Sequence, residues 1–436
     1  METMTLQPMT LKPIISEPTT SQSSHPEQPL HAQQSHSGQQ PHATERPTRR
    51  WLLYGIAFLS FFDRFAASPM LVLMSVQEGT SLATIATMIA AYGIAYGLGQ
   101  PIWGILGERQ GRRRALLIAL SGTTLTGLAT ILAWTLPMMV AARTAMGLCV
   151  GGLYPLLLTL IADTTSLTQR GQAISDLQAS SALGTTVATL VTGAIATATN
   201  WRVVVALTCM AAASCFLVLY RQRPTDPHHA STENVQALPF LTSLRTALAP
   251  RPLALYTLGF VEGGLLLGTL TYLAPAIETL GVSPRLAGSL TAGYGIAVIA
   301  GSQLNKVLVR QLPRLPIMIA GALILAAAYF IAGLRLSIPT VIITSVLVGL
   351  SNALLHSGLQ SWVTEVAPAA RSTTVAFFAC SVFLGAGVLT SLTAPAIAAN
   401  RYAAVFLITA IAALLLTFAL AIVASHFHRR QREESL

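Results

Sequence analysis

Charged residues are scarce in this sequence: 10% of its 436 residues are Asp, Glu, Lys or Arg, against roughly 25% in ordinary soluble chains. A soluble globule of this length needs a charged skin, and this chain lacks the residues to build one. Cysteine is also sparse. Cys149, Cys209, Cys215 and Cys380 sit inside apolar stretches with no CxxC pair and no histidine at ligand spacing, so they read as packing residues, not as disulfides or a metal site. No GxxxxGK[ST] phosphate loop occurs, which argues against a nucleotide-driven pump. Clustered catalytic His or acidic motifs are equally missing, so neither an enzyme nor a cofactor is expected. The net charge of +10 needs no nucleic acid to explain it, because the positive residues lie between apolar runs, where membrane insertion accounts for them.

What the chain has instead is apolar length. Hydrophobic residues make up 53%, and a bilayer core of ~30 Å is crossed by about 20 apolar residues in a helix. Twelve candidate spans follow, six within 51–220 as a first bundle and six within 252–425 as a second, the eighth covering 284–309. Residues 221–251 form a polar linker whose later part, from Leu238 to Leu248, predicts a short surface helix. Residues 1–50 hold seven Pro, seven Gln and no aromatic residue, a composition that cannot offset the entropy of ordering, and read as a disordered tail. A second tail covers 426–436. The expected fold is an all-α polytopic membrane protein.

Of the 26 Lys and Arg residues, 20 fall in the tails and in the loops on one side, against Arg202, Arg285, Arg335 and Arg401 on the other. The positive-inside bias therefore predicts a cell-membrane protein with both termini cytoplasmic and an even number of spans. The two halves also repeat. Tyr92-Gly93-Ile94-Ala95 recurs as Tyr294-Gly295-Ile296-Ala297 at an offset of 202, and Leu183-Gly184 recurs as Leu384-Gly385 at 201. A nearly constant offset points to two bundles related by duplication.

The loop between the second and third spans reads Gly104-Ile-Leu-Gly-Glu108-Arg109-Gln-Gly111-Arg112. It resembles the signature loop of the major facilitator superfamily, with Glu108 where Asp is usual. Arg143-Thr-Ala-Met-Gly147, the stretch from Asp163 to Arg170-Gly171, and Asn200-Trp201-Arg202 resemble further elements of that family. The resemblance spans 51–425 and implies a secondary transporter of two six-helix bundles. It also implies a gate role for Glu108, Arg109 and Arg112, with Asp163 as partner. On physical grounds Gly104 and Gly107 permit close helix approach and Gly111 a tight turn. Glu365 and Arg371, flanking Pro368, read as the gate's counterpart in the second half.

Charges at membrane depth are functional candidates because each is costly there. Asp63 and Arg64 lie in the first span and Glu262 in the seventh, at nearly equivalent depth under the repeat; by resemblance both helices line the central cavity. Asp63 and Glu262 are candidate proton carriers. Adjacent on a helix, Asp63 and Arg64 point about 100° apart. Either Arg64 holds an anionic group while Asp63 carries the proton, or both lock to polar neighbours. Asn352, His356 and Gln360 form a polar stripe in the tenth span, fit either for substrate or for interhelical hydrogen bonds. Arg143, near a helix end, reads as structural or a relay. Phe61, Phe62, Phe65 and Met70 are expected to give the cavity an apolar lining.

These features predict export of a small organic or drug-like solute by proton antiport through alternating access, by a protein acting as a monomer in the lipid bilayer. Uptake of an organic anion by proton symport is the alternative, since the Asp63-Arg64 pair resembles that of anion-cation symporters. A non-transporting receptor on the same fold is the second alternative.

Overall fold

Inside a bilayer the backbone of an apolar stretch satisfies its N–H and C=O groups through internal helical hydrogen bonds. The computed structural model describes residues 50–165, 167–222 and 240–434, and they form helices with no strand among them. Nearly all of the predicted 1–50 tail and most of the 221–251 linker lie outside the described residues. A helix at Phe240–Ala247 stands in the later part of that linker.

Among the described residues, eleven helices are long and apolar enough to cross a membrane. Span 1 is Arg50–Gln77, span 2 Leu82–Gln110, span 3 Arg112–Leu132, span 4 Leu136–Ile161, span 5 Asp176–Ala198 and span 6 Trp201–Arg221. In the second half, span 7 is Pro250–Glu278, span 9 Arg314–Leu334, span 10 Ile338–Val366, span 11 Thr373–Ala398 and span 12 Tyr402–Phe427. The eighth crossing corrects the expectation of one apolar run over 284–309. It is built from two helices, Pro284–Thr291 and Gly293–Gln311, that meet at Ala292. Its second helix carries Ser302, Gln303, Asn305 and Lys306, three of which line a cavity, and polarity of that kind lowers its average hydrophobicity. Twelve crossings return the chain to the membrane face on which Arg50 starts, called here the near face; the opposite one is the far face.

Local sequence sets the ends and breaks of these helices. Between spans 2 and 3 the chain turns at Gly111, whose φ of 87° is a conformation that glycine adopts without steric cost. The Asn200 side chain caps span 6 by accepting from the Arg202 N–H at 2.8 Å, the N-cap role its short carbonyl suits. Pro69 sits in a tight turn, Ser68–Met70, that interrupts span 1. In spans 7 and 10 the interruption is of another kind, a wide π-type turn at Gly264–Gly268 and at Asn352–His356. Such turns recur at functional sites.

Spans 1–6 and 7–12 form the two bundles of a twelve-helix fold. The lipid-facing side shows in span 12, where Ile408, Ile411, Leu415, Phe418 and Ile422 are exposed at helical spacing, a stripe that hydrocarbon covers favourably. The bundles meet along two seams related by the repeat. In one, span 11 lies on span 2, so close that a Cβ on Gly387 would stand 2.9 Å from the Ala90 carbonyl oxygen. In the other, Gly295 of the eighth crossing seats on Thr186 of span 5, and Thr186 is one repeat offset from Gly387. Toward the far face the bundles are shut: the Ser68 hydroxyl donates to the Thr271 carbonyl at 2.8 Å. A Cβ on Gly193 would lie 2.6 Å from the Pro284 carbonyl oxygen.

Candidate functional site

A cavity of about 300 Å³ lies between the bundles, at the small end of the range for small-molecule sites. Phe61, Phe65, Tyr154, Phe378 and Phe383 wall it with aromatic surface, while Gln100, Gln178, Asn352, His356 and Gln360 present polar groups. Lys306, another lining residue, is close to the near-face end of its helix, so the cavity reaches from mid-depth toward the near face. Two of the four residues expected to line it do so. Phe62 and Met70 instead pack in the core, because a helix shows positions 61 and 65 on one face and turns position 62 about 100° away, where Phe62 stacks on Phe58.

Asp63 points into the first bundle. Its carboxylate accepts from Arg143 Nη1 at 3.0 Å and from the Tyr92 hydroxyl at 2.6 Å, and the Arg143 guanidinium also lies over the Tyr92 ring, 4.7 Å from its centroid. Asp63 and Arg143 are 1% and 3% exposed. This is a charge-neutral lock between spans 1, 2 and 4, in which each carboxylate oxygen of Asp63 has a partner. Arg143, read from sequence as a helix-end residue, is the buried partner that the lock depends on.

Glu262 has a different setting. It is 1% exposed, and its Oε2 lies 3.2 Å from Nδ1 of His356, while Oε1 has no hydrogen-bond partner. The two side chains come from the two helices that carry the wide turns. Glu262 is sealed in protein, whereas the His356 side chain is 26% exposed and lines the cavity. His356 therefore stands between the cavity and the carboxylate. Asn352 Nδ2, on the same stripe, donates to the Tyr294 hydroxyl at 3.1 Å, and Gln360 faces the cavity.

Arg64, adjacent to Asp63, points away from it to the seam between the bundles. Its guanidinium lies 5.6 Å from the ring centroids of both Phe65 and Phe383, the second of which belongs to span 11. Its Nε is buried with no hydrogen-bond partner.

At the near face, Arg112 Nη1 donates to the Thr159 carbonyl of span 4, tying the loop to that helix, and Arg113 Nη2 caps the end of span 6 by donating to the Leu219 carbonyl at 2.7 Å. Glu108 and Arg109 are exposed beside them. The side chain of Asp163 lies outside the described residues. Gly104 corrects an expectation: a Cβ there would meet nothing within 4 Å, while one on Gly107 would stand 2.7 Å from Leu156 Cδ2. Close helix approach rests on Gly107, because it is the glycine turned toward span 4. In the second half Glu365 pairs with Arg314 through two hydrogen bonds, one of 2.8 Å from Nη1. Arg371, named with Glu365 in the sequence reading, instead donates from Nε to the Thr364 carbonyl at 3.1 Å, since it opens the next helix and faces the end of the previous one. Sequence reasoning passed over Arg314 and the two tyrosines as site residues; the signal that finds them is the repeat, which maps Tyr92 to Tyr294 and Arg112 to Arg314.

Known proteins share this layout. The sequence profile of the Major Facilitator Superfamily matches residues 53–281 and again 264–435. An MFS-type efflux transporter, ffsH, of Aspergillus flavipes is 31% identical over 171 residues, 38% of this chain and 29% of that protein. A probable 4-methylmuconolactone transporter of Cupriavidus pinatubonensis is 32% identical over 163 residues, 35% of this chain and 37% of that protein. The chain thus spans less than two fifths of the length of these curated relatives. Among solved structures, a D-xylose-proton symporter superposes with a TM-score of 0.69 over 84% of this chain and 96% of that one at 19% identity. A mutant peptide transporter, POT, in complex with alafosfalin gives 0.72 over 88% and 95% at 16% identity. At such identities the structures speak for the fold alone. With the profile matching 53–281 and again 264–435, and a cavity between two six-helix bundles, this chain belongs to the major facilitator superfamily.

Proposed function

We propose that this transporter exports a small organic molecule in exchange for protons, by alternating access, with Glu262 and His356 as the proton-coupling pair. The observation that carries the proposal is the contrast between the two buried carboxylates. Asp63 is balanced by Arg143, a permanent cation, so that pair is neutral without any proton. Glu262 faces an imidazole that is itself a proton carrier, so the pair as a whole gains or loses charge when a proton arrives, and buried charge is what the protein must neutralise before it changes state. Protonation is a property of the pair and belongs to neither residue alone. His356, open to the cavity, is the entry point for the proton.

The closed far face and a cavity that reaches toward the near face describe one of the two states such a cycle needs. With the near face cytosolic, as the charge bias predicts, the described state loads from the cytosol. Relatives named as efflux transporters support export, and the one named for 4-methylmuconolactone supports a small organic solute. Reconstitution of the full chain in proteoliposomes tests the reading, with 4-methylmuconolactone and a panel of drug-sized organic molecules as solutes. An imposed pH gradient drives flux in the wild type, and Glu262→Gln is expected to lose gradient-driven flux while retaining solute exchange at equal pH. Gradient-driven flux at the wild-type rate in Glu262→Gln would falsify the coupling role. The direction of solute movement relative to the proton separates antiport from symport.

A further inference from the structure

The two bundles end differently at the far face. In the first, Glu78 follows span 1 and is held by the start of span 6. Its Oε1 accepts from Trp201 Nε1 at 2.8 Å, its Oε2 accepts from Arg202 Nη2 at 3.1 Å, and Arg202 Nη1 completes the ion pair. In the second bundle Glu278 ends span 7 and Tyr402 opens span 12, 200 residues from Glu78 and 201 from Trp201. The residue after Tyr402 is Ala403. The second bundle thus keeps the carboxylate and the aromatic ring but has no counterpart of Arg202.

What remains there is unsatisfied. Glu278 Oε1 and the Tyr402 hydroxyl are both buried without a hydrogen-bond partner, and Tyr402 is 1% exposed. The charge of Glu278 acts on that hydroxyl. No cation comes to the carboxylate from the elements packed around the Leu273–Glu278 helix. The Ser68–Met70 turn, the Leu71–Gln77 part of span 1 and the Ile338–Ser351 part of span 10 carry no ionisable side chain. Arg285 of the Pro284–Thr291 helix is exposed, as are Arg335 and Arg401 in the neighbouring loops, and among the described residues none of the three pairs with Glu278. Tyr272, in the same span, gives its hydroxyl proton to the Thr390 carbonyl at 2.6 Å. A buried carboxylate with neither a cation nor a donor is costly, and taking up a proton removes the charge. With that proton, Glu278 and Tyr402 can each supply the partner the other lacks, one donating and one accepting.

The pair stands against the contact that shuts the far face. The Leu273–Glu278 helix packs on the Ser68–Met70 turn of the first bundle. Thr271, whose carbonyl accepts from Ser68, lies seven residues before Glu278. We infer that Glu278 and Tyr402 form a second proton-binding site, on the far face, which holds a proton while that face is shut and exchanges it with the far side when the face opens. Arg202 does permanently in the first bundle what the proton does here reversibly. The site carries a proton of its own, apart from Glu262 and His356, so acid on the far side favours the described state whatever the solute.

Infrared difference spectroscopy of the full chain in lipid reads the bound proton. At neutral pH, wild type minus Glu278→Gln should show the carbonyl stretch of a carboxylic acid, a band that shifts in Tyr402→Phe and disappears as the pH is raised. Ala403→Arg, at an exposed position, restores the counterpart of Arg202 and should abolish the band at neutral pH, because an ionised Glu278 then has a partner. Closure is read from Ser302→Cys, in a background without native cysteines, labelled from the near face by a water-soluble thiol reagent. Proteins are compared at one pH at a time, so that ionisation of the thiol cancels. At alkaline pH, labelling should be several-fold weaker than in the same protein carrying Glu278→Gln, which is uncharged at every pH; at acid pH the two should agree. Glu278→Gln should also melt at or above the wild-type temperature at alkaline pH, where a stranded carboxylate is removed. No acid band at neutral pH, a band that survives in Ala403→Arg, equal labelling at alkaline pH, or a Glu278→Gln protein that fails to fold would each overturn the inference. No gradient enters these readouts, so a Glu262→Gln protein that keeps gradient-driven flux sinks the coupling proposal and leaves this one standing.

Discussion

Arg143 reaches from span 4 to within 3.0 Å of the Asp63 carboxylate in span 1, and both side chains are sealed from solvent. Removing one member leaves the other charged and alone, which typically costs 3 to 5 kcal/mol, roughly, in a buried pair. Asp63→Asn and Arg143→Met are each expected to lower the melting temperature sharply in detergent. The double variant should recover much of that loss, because no charge is then stranded. A double variant no more stable than the singles would mean that the two residues do not act as a lock.

His356 supplies the second prediction. His356→Gln keeps a donor that can reach Glu262 but removes the imidazole proton. Solute exchange at equal pH should persist, while the dependence of flux on pH between about 5 and 8, the range in which histidine titrates, should flatten. An unchanged pH profile would rule out His356 as the proton entry point.

Closure of the far face depends on a glycine. A Cβ on Gly193 would lie 2.6 Å from the Pro284 carbonyl oxygen, and a backbone oxygen cannot swing aside as a side chain can. Gly193→Ala is therefore expected to shift the population toward the state open at the far face. Ser302→Cys, in a background without the four native cysteines, reports this. Its labelling by a water-soluble thiol reagent from the near face should fall several-fold when Gly193→Ala is added. Undiminished labelling would show that the Gly193 contact does not hold the far face shut.

Gly104 and Gly107 should respond differently to the same methyl group. Gly104→Ala meets open space and gains helix propensity worth about 0.5 to 1 kcal/mol, so thermal stability should rise. Gly107→Ala crowds Leu156 and should lower it. If Gly104 is a contact point only in the opposite state, Gly104→Ala slows transport while raising the melting temperature; a variant that changes neither removes Gly104 from the gate.

The crossings are legible in the sequence because hydrocarbon demands about 20 apolar residues each time. The eighth is bounded nearly as read, at 284–311, and only its break at Ala292 leaves no mark in the pattern of apolar residues. The depth of Asp63, Arg64 and Glu262 is legible for the same reason that the crossings are. Their partners are not. Asp63 and Arg143 are 80 residues apart, and Glu262 and His356 are 94 apart, so no local spacing encodes either pair. Only the duplicated Tyr-Gly-Ile-Ala motif hints at them, and it does so as symmetry, without showing that Tyr92 serves the Asp63 carboxylate and Tyr294 the Asn352 amide. Helical geometry separates Phe61 and Phe65 from Phe62, but only once it is known which face looks inward.

The wide turns at Gly264–Gly268 and Asn352–His356 are, among the described residues, found in the second bundle alone. A helix that holds a surplus residue in one turn can pass it to the next turn by exchanging one backbone hydrogen bond at a time, without a stretch of broken bonds. Each such exchange rotates the residues beside it, and here those residues are Glu262 and His356. The duplicated halves differ in this sense: the first is braced across spans 1 and 4 by Asp63 and Arg143, while the second sets Glu262 and His356, the pair proposed to carry the proton, beside its two wide turns.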